Sequence, residues 1–266
     1  TMKIFFLVSF LLFAKLSLAD EFPNFFGCFC EGGLITGKIK SGDELKIDGK
    51  KMEVFENGEF IFAFGRKFKN KIDVEYNGKF KIFDVKKKKY KIERISGLPQ
   101  KKVEPAEEDI KRIIKDKKRI NLSKEIGIKE KLFDDEFILP VDGRLSGVFG
   151  SQRILNSKPK RPHFGIDIAQ KEGSPILVPS SGIVKLVDFD MFFTGNTIIV
   201  DHGLGLISIF AHLKDIYVKE GQKVSIGQKI GSVGKTGRAT GPHLHWGIYL
   251  KNKPVDPLSM TKSRFY

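Results

Sequence analysis

The sequence predicts a mainly β protein in which two β modules are joined by a charged helical connector. Short apolar-alternating runs between 34 and 95 are separated by Asp48-Gly49, Asn57-Gly58 and Asn77-Gly78. Asn-Gly or Asp-Gly between such runs is the strongest short hairpin signal. Apolar residues then recur at helical spacing after Pro105 among many lysines. Beyond Phe137 glycines become frequent and β-type runs return, punctuated by Pro175, Pro179, Pro242, Pro254 and Pro257.

At 266 residues the chain is long enough for two ordinary domains. Hydrophobic content of 41% and charged content of 30% exclude a disordered or membrane-embedded chain. The first segment, 1–19, reads as a signal peptide. Lys3 precedes an apolar run, and Ser17-Leu18-Ala19 offers a small-x-small cleavage site before Asp20. Spanning a bilayer takes about 20 apolar residues, so the run is expected to be cleaved, leaving no stable membrane span in an exported, periplasmic protein. An uncleaved signal anchor is the alternative. Cys28 and Cys30 are separated by one residue. A disulfide between them closes a very tight ring and would be strained, which leaves their state open, and both thiols are read as non-catalytic.

Residues 20–99 form the first module, with strands expected over 34–40, 44–48, 51–55, 59–65, 71–77 and 79–85. They make a small β-sandwich that contains no histidine. Gly97-Leu98-Pro99 closes it. Residues 100–136 are the connector: Pro105 opens a helix, Glu107 and Glu108 fall in its first turn, and Ile110, Ile113 and Ile114 form one apolar stripe. Lysines crowd its second half, where they suit the helix dipole. Residues 137–266 form the second module, with strands expected at 147–149, 165–169, 182–188, 197–201, 206–213, 229–233 and 245–250.

The net charge of +15 includes the runs Lys86-Lys87-Lys88-Lys89 and 115–119. Nucleic acid, a polyanionic envelope surface, and a plain solvated face all fit such runs. Export removes nucleic acid from that set. Gly234-Lys235-Thr236 is not a phosphate loop, because the glycine required five residues before the Gly-Lys pair is Lys229.

All five histidines lie between 163 and 245. In His163-Phe164-Gly165-Ile166-Asp167, strand alternation puts His163, Gly165 and Asp167 on one face and the apolar residues on the other. In His243-Leu244-His245-Trp246, the two imidazoles share a face opposite Leu244 and Trp246. They can converge on one ion, or one can hold metal while its neighbour faces substrate. His212 ends a run of apolar residues and is placed by the same alternation opposite Ala211 and Leu213, on the polar side. Catalytic zinc takes three protein ligands of this kind and keeps one position open. Two histidines with Asp167 meet that need, leaving two to work on water and the scissile carbonyl. His202, in Asp201-His202-Gly203, reads as a turn residue or an outer partner with no catalytic role. A lone histidine is more often packed than ligating, but three same-face clusters in one module outweigh that default.

These residues resemble the LytM and lysostaphin-like zinc endopeptidases of peptidoglycan. The likeness runs from about Pro140 to Pro257, through Gly147-Val148-Phe149-Gly150, Arg161-Pro162-His163-Phe164-Gly165-Ile166-Asp167, Ala211-His212-Leu213 and Gly237-Arg238-Ala239-Thr240-Gly241-Pro242-His243-Leu244-His245. The resemblance implies an antiparallel sheet with a groove, zinc at its floor, and walls from 151–160 and 190–194. It implies His163, Asp167 and His245 as zinc ligands, and His212 and His243 as catalytic residues flanking water and stabilising the oxyanion. Phe210 stands where many relatives carry tyrosine. The implied activity is hydrolysis of peptide bonds in peptidoglycan by a monomer, with the D-alanyl to meso-diaminopimelate cross-link favoured and some carboxypeptidase trimming. A non-enzymatic activator or scaffold of other wall hydrolases is the competing expectation. The first module is expected either to target the wall or to restrain the groove.

Overall fold

The computed structural model describes residues 22–125, 127–134 and 136–261. The signal peptide expected over 1–19 lies outside the described residues. The chain first forms β1 (Phe25–Gly27), β2 (Leu34–Lys38), β3 (Leu45–Ile47), β4 (Lys50–Lys51), β5 (Glu59–Ala63), β6 (Lys71–Tyr76) and β7 (Lys79–Asp84). They assemble as two small sheets, in the orders β1-β2-β5 and β4-β3-β6-β7. Alternation decides which side chains meet between them. Ile35 and Phe60 from one sheet share a core with Leu45, Ile47, Ile72 and Val74 from the other. Two hairpins turn on two residues each, as the sequence implied. Asp48 and Gly49 have φ of 51° and 71°, and Asn77 and Gly78 have 47° and 78°, as the favoured tight hairpin turn requires.

Three local expectations need correction. The strand expected over 51–55 is confined to β4, because the chain turns back at once: Gly58 N–H donates to the Phe55 carbonyl at 2.8 Å. Cys28 and Cys30 are joined in a disulfide with Cα atoms 5.3 Å apart, inside the usual range. Cys30 N–H donates to the Cys28 carbonyl at 2.9 Å, and the intervening Phe29 packs against the first module's core, stacked on Phe83. A Cβ on Gly33 would stand 2.7 Å from the Cys30 sulfur, so glycine makes room for the bridge. Finally, the stretch after β7 does not simply end the first module. β8 (Ile92–Ile95) leaves both small sheets and pairs in parallel with a strand 60 residues later, Glu93 opposite Arg153.

A short α1 (Gln100–Val103) precedes α2 (Glu107–Leu122), whose first turn carries Glu107, Glu108 and Asp109. Of the apolar stripe, Ile110 and Ile114 are exposed, while Ile113 is half-buried and lines a cavity. Ile120 packs against the buried cluster of Leu186, Met191, Ile199, Ile207 and Ile209, and ion pairs add to that hold. Arg112 meets Asp190 at 2.9 Å, and Arg119 pairs with Asp188 and lies 3.7 Å from Glu220.

The remaining chain supplies β9 (Arg144–Gly147), β10 (Gln152–Leu155), β11 (Lys158–Pro159), β12 (Ile166–Ala169), β13 (Pro175–Leu177), β14 (Gly182–Met191), β15 (Gly195–Asp201), β16 (Leu206–Ile216), β17 (Lys223–Val224), β18 (Lys229–Val233), β19 (His243–Leu250) and β20 (Lys253–Val255). The expected wall loop over 151–160 is therefore a hairpin, β10–β11. An antiparallel sheet runs β17-β14-β15-β16-β19-β12-β9. Its back face buries Ile166, Phe210, Leu244, Trp246 and Ile248 in one apolar cluster that also takes in Leu34, Phe55, Ile61 and Ala63 from the first small sheet and its flank. The protein is thus mainly β, as the sequence predicts. Among the described residues no helix is long and apolar enough to cross a membrane.

Trp246 is fully buried and donates from Nε1 to Ser208 Oγ at 3.3 Å. Replacing a buried aromatic by alanine loses its transfer free energy and leaves a cavity. Trp246→Ala is expected to lower the unfolding free energy by about 3–5 kcal/mol, measured by denaturant titration; a loss under about 1 kcal/mol would mean that the back face is not the stabilising core.

Candidate metal centre

Strands β12, β19 and β16 lie side by side and fix the centre by register. Asp167 stands opposite His245, and His245 opposite Ala211. Directly opposed residues of an antiparallel pair share a face, so Asp167 and His245 project together. His163 is not on the strand, as alternation assumed: β12 begins at Ile166. The preceding segment is pinned by His163 N–H donating to the Ser151 carbonyl at 2.9 Å and by Gly150 N–H donating to the His163 carbonyl at 2.7 Å. A Cβ on Gly165 would stand 2.7 Å from the His245 ring, which explains the glycine between His163 and Asp167.

His212 also reaches the centre by a route that alternation does not give. Ala211 shares the face of His245, so a regular strand would send His212 to the back. Its φ of 65° lies in the left-handed region that non-glycine residues rarely adopt. That twist, at the register shift between β15 and β16, swings the ring forward to 4.7 Å from His243 and 6.2 Å from His245 between centroids. Its amide donates to the Thr194 carbonyl at 2.8 Å.

Three atoms converge: His163 Nε2 and Asp167 Oδ1 at 3.0 Å, His163 Nε2 and His245 Nδ1 at 2.9 Å, and His245 Nδ1 and Asp167 Oδ1 at 2.8 Å. Two ring nitrogens and a carboxylate oxygen this close need a shared proton or a cation between them. The donor set, two imidazoles and one carboxylate, is that of catalytic zinc, so these residues fit the ion. Among the described residues this is the one cluster of three such side chains with that geometry.

Hydrogen bonds also set which nitrogen each ring presents. The Nδ1 atoms of His163, His212 and His243 face the carbonyls of Val148 at 3.2 Å, Thr236 at 2.8 Å and Gly241 at 2.8 Å. A carbonyl only accepts, so each Nδ1 carries a proton, which leaves Nε2 as the nitrogen each ring can present as a ligand or base. Burial, with the neighbouring His243 and His245, pushes His212 down to about 3. Burial likewise pushes His245 down to about 4, against the pull of Asp167. Burial works against the Asp167 charge, but His163 and His245 hold its carboxyl well below the ordinary range. A neutral His245 imidazole beside an ionised Asp167 carboxylate is a pair of protonation states that metal binding requires.

Residues 161–257 match the model of Peptidase family M23. Over 87% of this chain and 94% of the other, the fold superposes on the crystal structure of a Pseudomonas aeruginosa protein described as a peptidase M23, at 31% identity and a TM-score of 0.64. The chain belongs to peptidase family M23. Among curated relatives, the peptidoglycan DD-endopeptidase ShyA of Vibrio cholerae is 40% identical over 122 residues, covering 45% of this chain and 28% of that protein. The lipoprotein NlpD/LppB homolog of Pseudomonas aeruginosa is 36% identical over 125 residues, 47% of this chain and 39% of that protein. The matched stretch is thus well under half the length of either relative.

The M23 match begins at 161, yet the centre is held from outside it. Asp167 turns Oδ1 to the histidines and Oδ2 to Arg153, with which it forms an ion pair. Arg153 Nε donates to Glu93 Oε2 at 3.3 Å, and the Val148 amide donates to Glu93 Oε1 at 3.2 Å. The Val148 carbonyl in turn receives His163 Nδ1. Glu93, on β8, therefore braces both Asp167 and His163. A Cβ on Gly147 would stand 2.6 Å from Asp167 Oδ2 and 2.9 Å from Arg153 Nη2, so glycine clears that contact. Sequence reasoning missed Arg153 and Glu93, because the parallel pairing of β8 with β10 leaves no local signal.

His202 sits behind the sheet, fully buried, with Nδ1 on the Ser181 carbonyl at 2.8 Å and Nε2 on Ser208 Oγ at 2.9 Å. Burial pushes it from the usual 6.5 to about 4. The unfolded chain then binds a proton that the folded chain refuses, so stability present above pH 6.5 is lost as pH falls toward 4. In metal-stripped protein, the drop in unfolding free energy between pH 7.5 and 4.5 should be smaller in His202→Gln than in the parent by about 2.5 kcal/mol. Equal drops would show that His202 titrates normally.

Proposed function

We propose that the chain is a zinc-dependent peptidase that hydrolyses peptide bonds of peptidoglycan. The convergence of His163 Nε2, Asp167 Oδ1 and His245 Nδ1 carries this reading. These three residues hold the ion, and bound zinc supplies a Lewis acid and an acidified water. His212 and His243 do not complete the triangle: His243 Nε2 is 3.9 Å from Asp167 Oδ1. Each offers a lone pair to the same space, where a neutral imidazole accepts a proton from water and the imidazolium then donates to the developing oxyanion. Phe210, fully buried on the back face, adds no hydroxyl.

The favoured bond is the D-alanyl to meso-diaminopimelate cross-link, supported by the likeness to an endopeptidase of that general class. Periplasmic action follows from the leader-like segment and from where such a substrate lies. The competing role, a non-enzymatic partner of other hydrolases, has support in the likeness to the NlpD/LppB homolog. The complete donor set, with both flanking histidines present, favours catalysis.

About one zinc per chain should be bound by the purified protein, and chelation should abolish hydrolysis of sacculi until zinc is returned. His163→Ala, Asp167→Ala and His245→Ala should each lose the metal. His212→Ala and His243→Ala should keep it and lose turnover by roughly 100-fold or more. Metal analysis beside product release from sacculi reads all five. Full activity without metal would refute the zinc reading, and loss of zinc from the His212 or His243 variant would refute the division of roles.

A further inference from the structure

Beside the metal triangle lies a cavity of about 580 Å³, walled on one side by α2 and reached by His163, His212 and His245. Its charged lining is lopsided: Lys117, Lys124, Arg153, Lys160, Arg161 and Arg238 stand against a single carboxylate, Asp116. Asp116 is engaged, accepting the Phe192 amide at 2.8 Å. Arg153 is engaged too, by Glu93 and Asp167. A second cavity, of about 340 Å³, lies on the Asp167 and His243 side. Arg153, Leu155, His212 and Arg238 line both; with Arg153 taken up by Glu93 and Asp167, Arg238 is the arginine left at the junction of the two ends of the groove.

Arg238 is held in place but not neutralised. Its amide donates to the Phe193 carbonyl at 2.8 Å, and its guanidinium lies 4.4 Å from the Phe193 ring centroid. A Cβ on the preceding Gly237 would stand 2.4 Å from the Gly195 amide nitrogen, so the loop backbone is pressed against the start of β15. Among the described residues the one hydrogen-bond acceptor for the guanidinium is the Lys102 carbonyl at 3.4 Å. Among the described residues no carboxylate pairs with it, although it is half-buried. Burial and the nearby Arg153 charge push it down to about 10. A desolvated guanidinium costs free energy unless an anion meets it, and its planar fork matches a carboxylate.

We propose that Arg238 is the specificity residue of this groove, receiving the free carboxylate that the leaving residue of the substrate carries beside the scissile amide. The inference rests on the peptidase reading and narrows it. In a D-alanyl to meso-diaminopimelate cross-link, the carbon that bears the scissile nitrogen also bears a free carboxylate. An internal bond of a glycine bridge has no such group. Arg238 therefore selects the first over the second, and it favours a terminal amino acid as leaving group for the same reason. The basic lining draws anionic stem peptides toward the site. Lys124, which among the described residues also has no carboxylate partner and lies 3.9 Å from the Tyr249 ring centroid, lines only the first of these two cavities.

The test uses zinc-loaded full chain and two cross-linked peptides that differ only at that carboxylate, one a free acid and one its carboxamide. The parent should show a kcat/KM about 10- to 100-fold higher for the acid, the range of a hydrogen bond to a charged group. In Arg238→Gln at equal zinc content, the ratio should fall to within about threefold; in Arg238→Lys it should stay intermediate, since a point charge replaces the fork. A ratio that survives in Arg238→Gln overturns the proposal, as does a parent that treats both peptides alike. Should the parent cleave neither peptide, the peptidase reading fails, and binding of the same pair decides the carboxylate site. Tighter binding of the acid that Arg238→Gln abolishes supports it, and equal binding overturns it.

Discussion

Asp167 is the group around which the rest of this structure is arranged. An ionised carboxylate taken out of water costs several kcal/mol unless its lone pairs are met, and here both oxygens are. Oδ1 faces two imidazoles and Oδ2 faces Arg153. Each partner comes from a different part of the chain, so the carboxylate ties together β12, β19, the segment before β12 and the β10 hairpin. Glu93 extends the chain of charges to β8. Dividing the two oxygens in this way leaves one for the metal and one for orientation, which is how outer hydrogen bonds fix a ligating carboxylate.

The second constraint is that one strand must serve two solvents. Along β19, Leu244, Trp246 and Ile248 fill the apolar back while His243 and His245 face the groove. The back face is not wholly apolar: His202, Ser208 and Trp246 form a closed polar network there. Its hydrogen bonds satisfy the buried Trp246 indole, on the residue next to His245. His212 shows the opposite device. Its left-handed backbone gives up strand regularity to bring a side chain to the front that a regular strand would bury, and such strain collects at functional sites.

Much of the site was legible in the sequence because period-two patterning is local. The His243, His245 and Trp246 faces follow from alternation alone, and the two-residue hairpins follow from Asp48-Gly49 and Asn77-Gly78. What alternation could not give is where the chain departs from a strand. His163 lies before β12, and His212 is rotated about a bulge, so both reach the centre for reasons the pattern does not contain. Glu93 was invisible because its partner strand is 60 residues away and parallel. Helical spacing grouped Ile110, Ile113 and Ile114 into one stripe, but Ile110 and Ile114 are exposed, and it is Ile120 that packs against the sheet while Arg112 and Arg119 pair with Asp190 and Asp188. The bridge between Cys28 and Cys30 depended on a glycine, Gly33, whose role shows only in three dimensions.

The claim that most of this depends on is that one ion joins His163, Asp167 and His245 while Asp167 keeps its second oxygen on Arg153. Diffraction data from zinc-soaked crystals, collected on both sides of the zinc absorption edge, test it directly. The account predicts one strong anomalous peak within about 2.0–2.2 Å of His163 Nε2, Asp167 Oδ1 and His245 Nδ1, with Asp167 Oδ2 still on Arg153. A peak bound instead through His212 and His243, or an Asp167 that grips the ion with both oxygens after releasing Arg153, would contradict it.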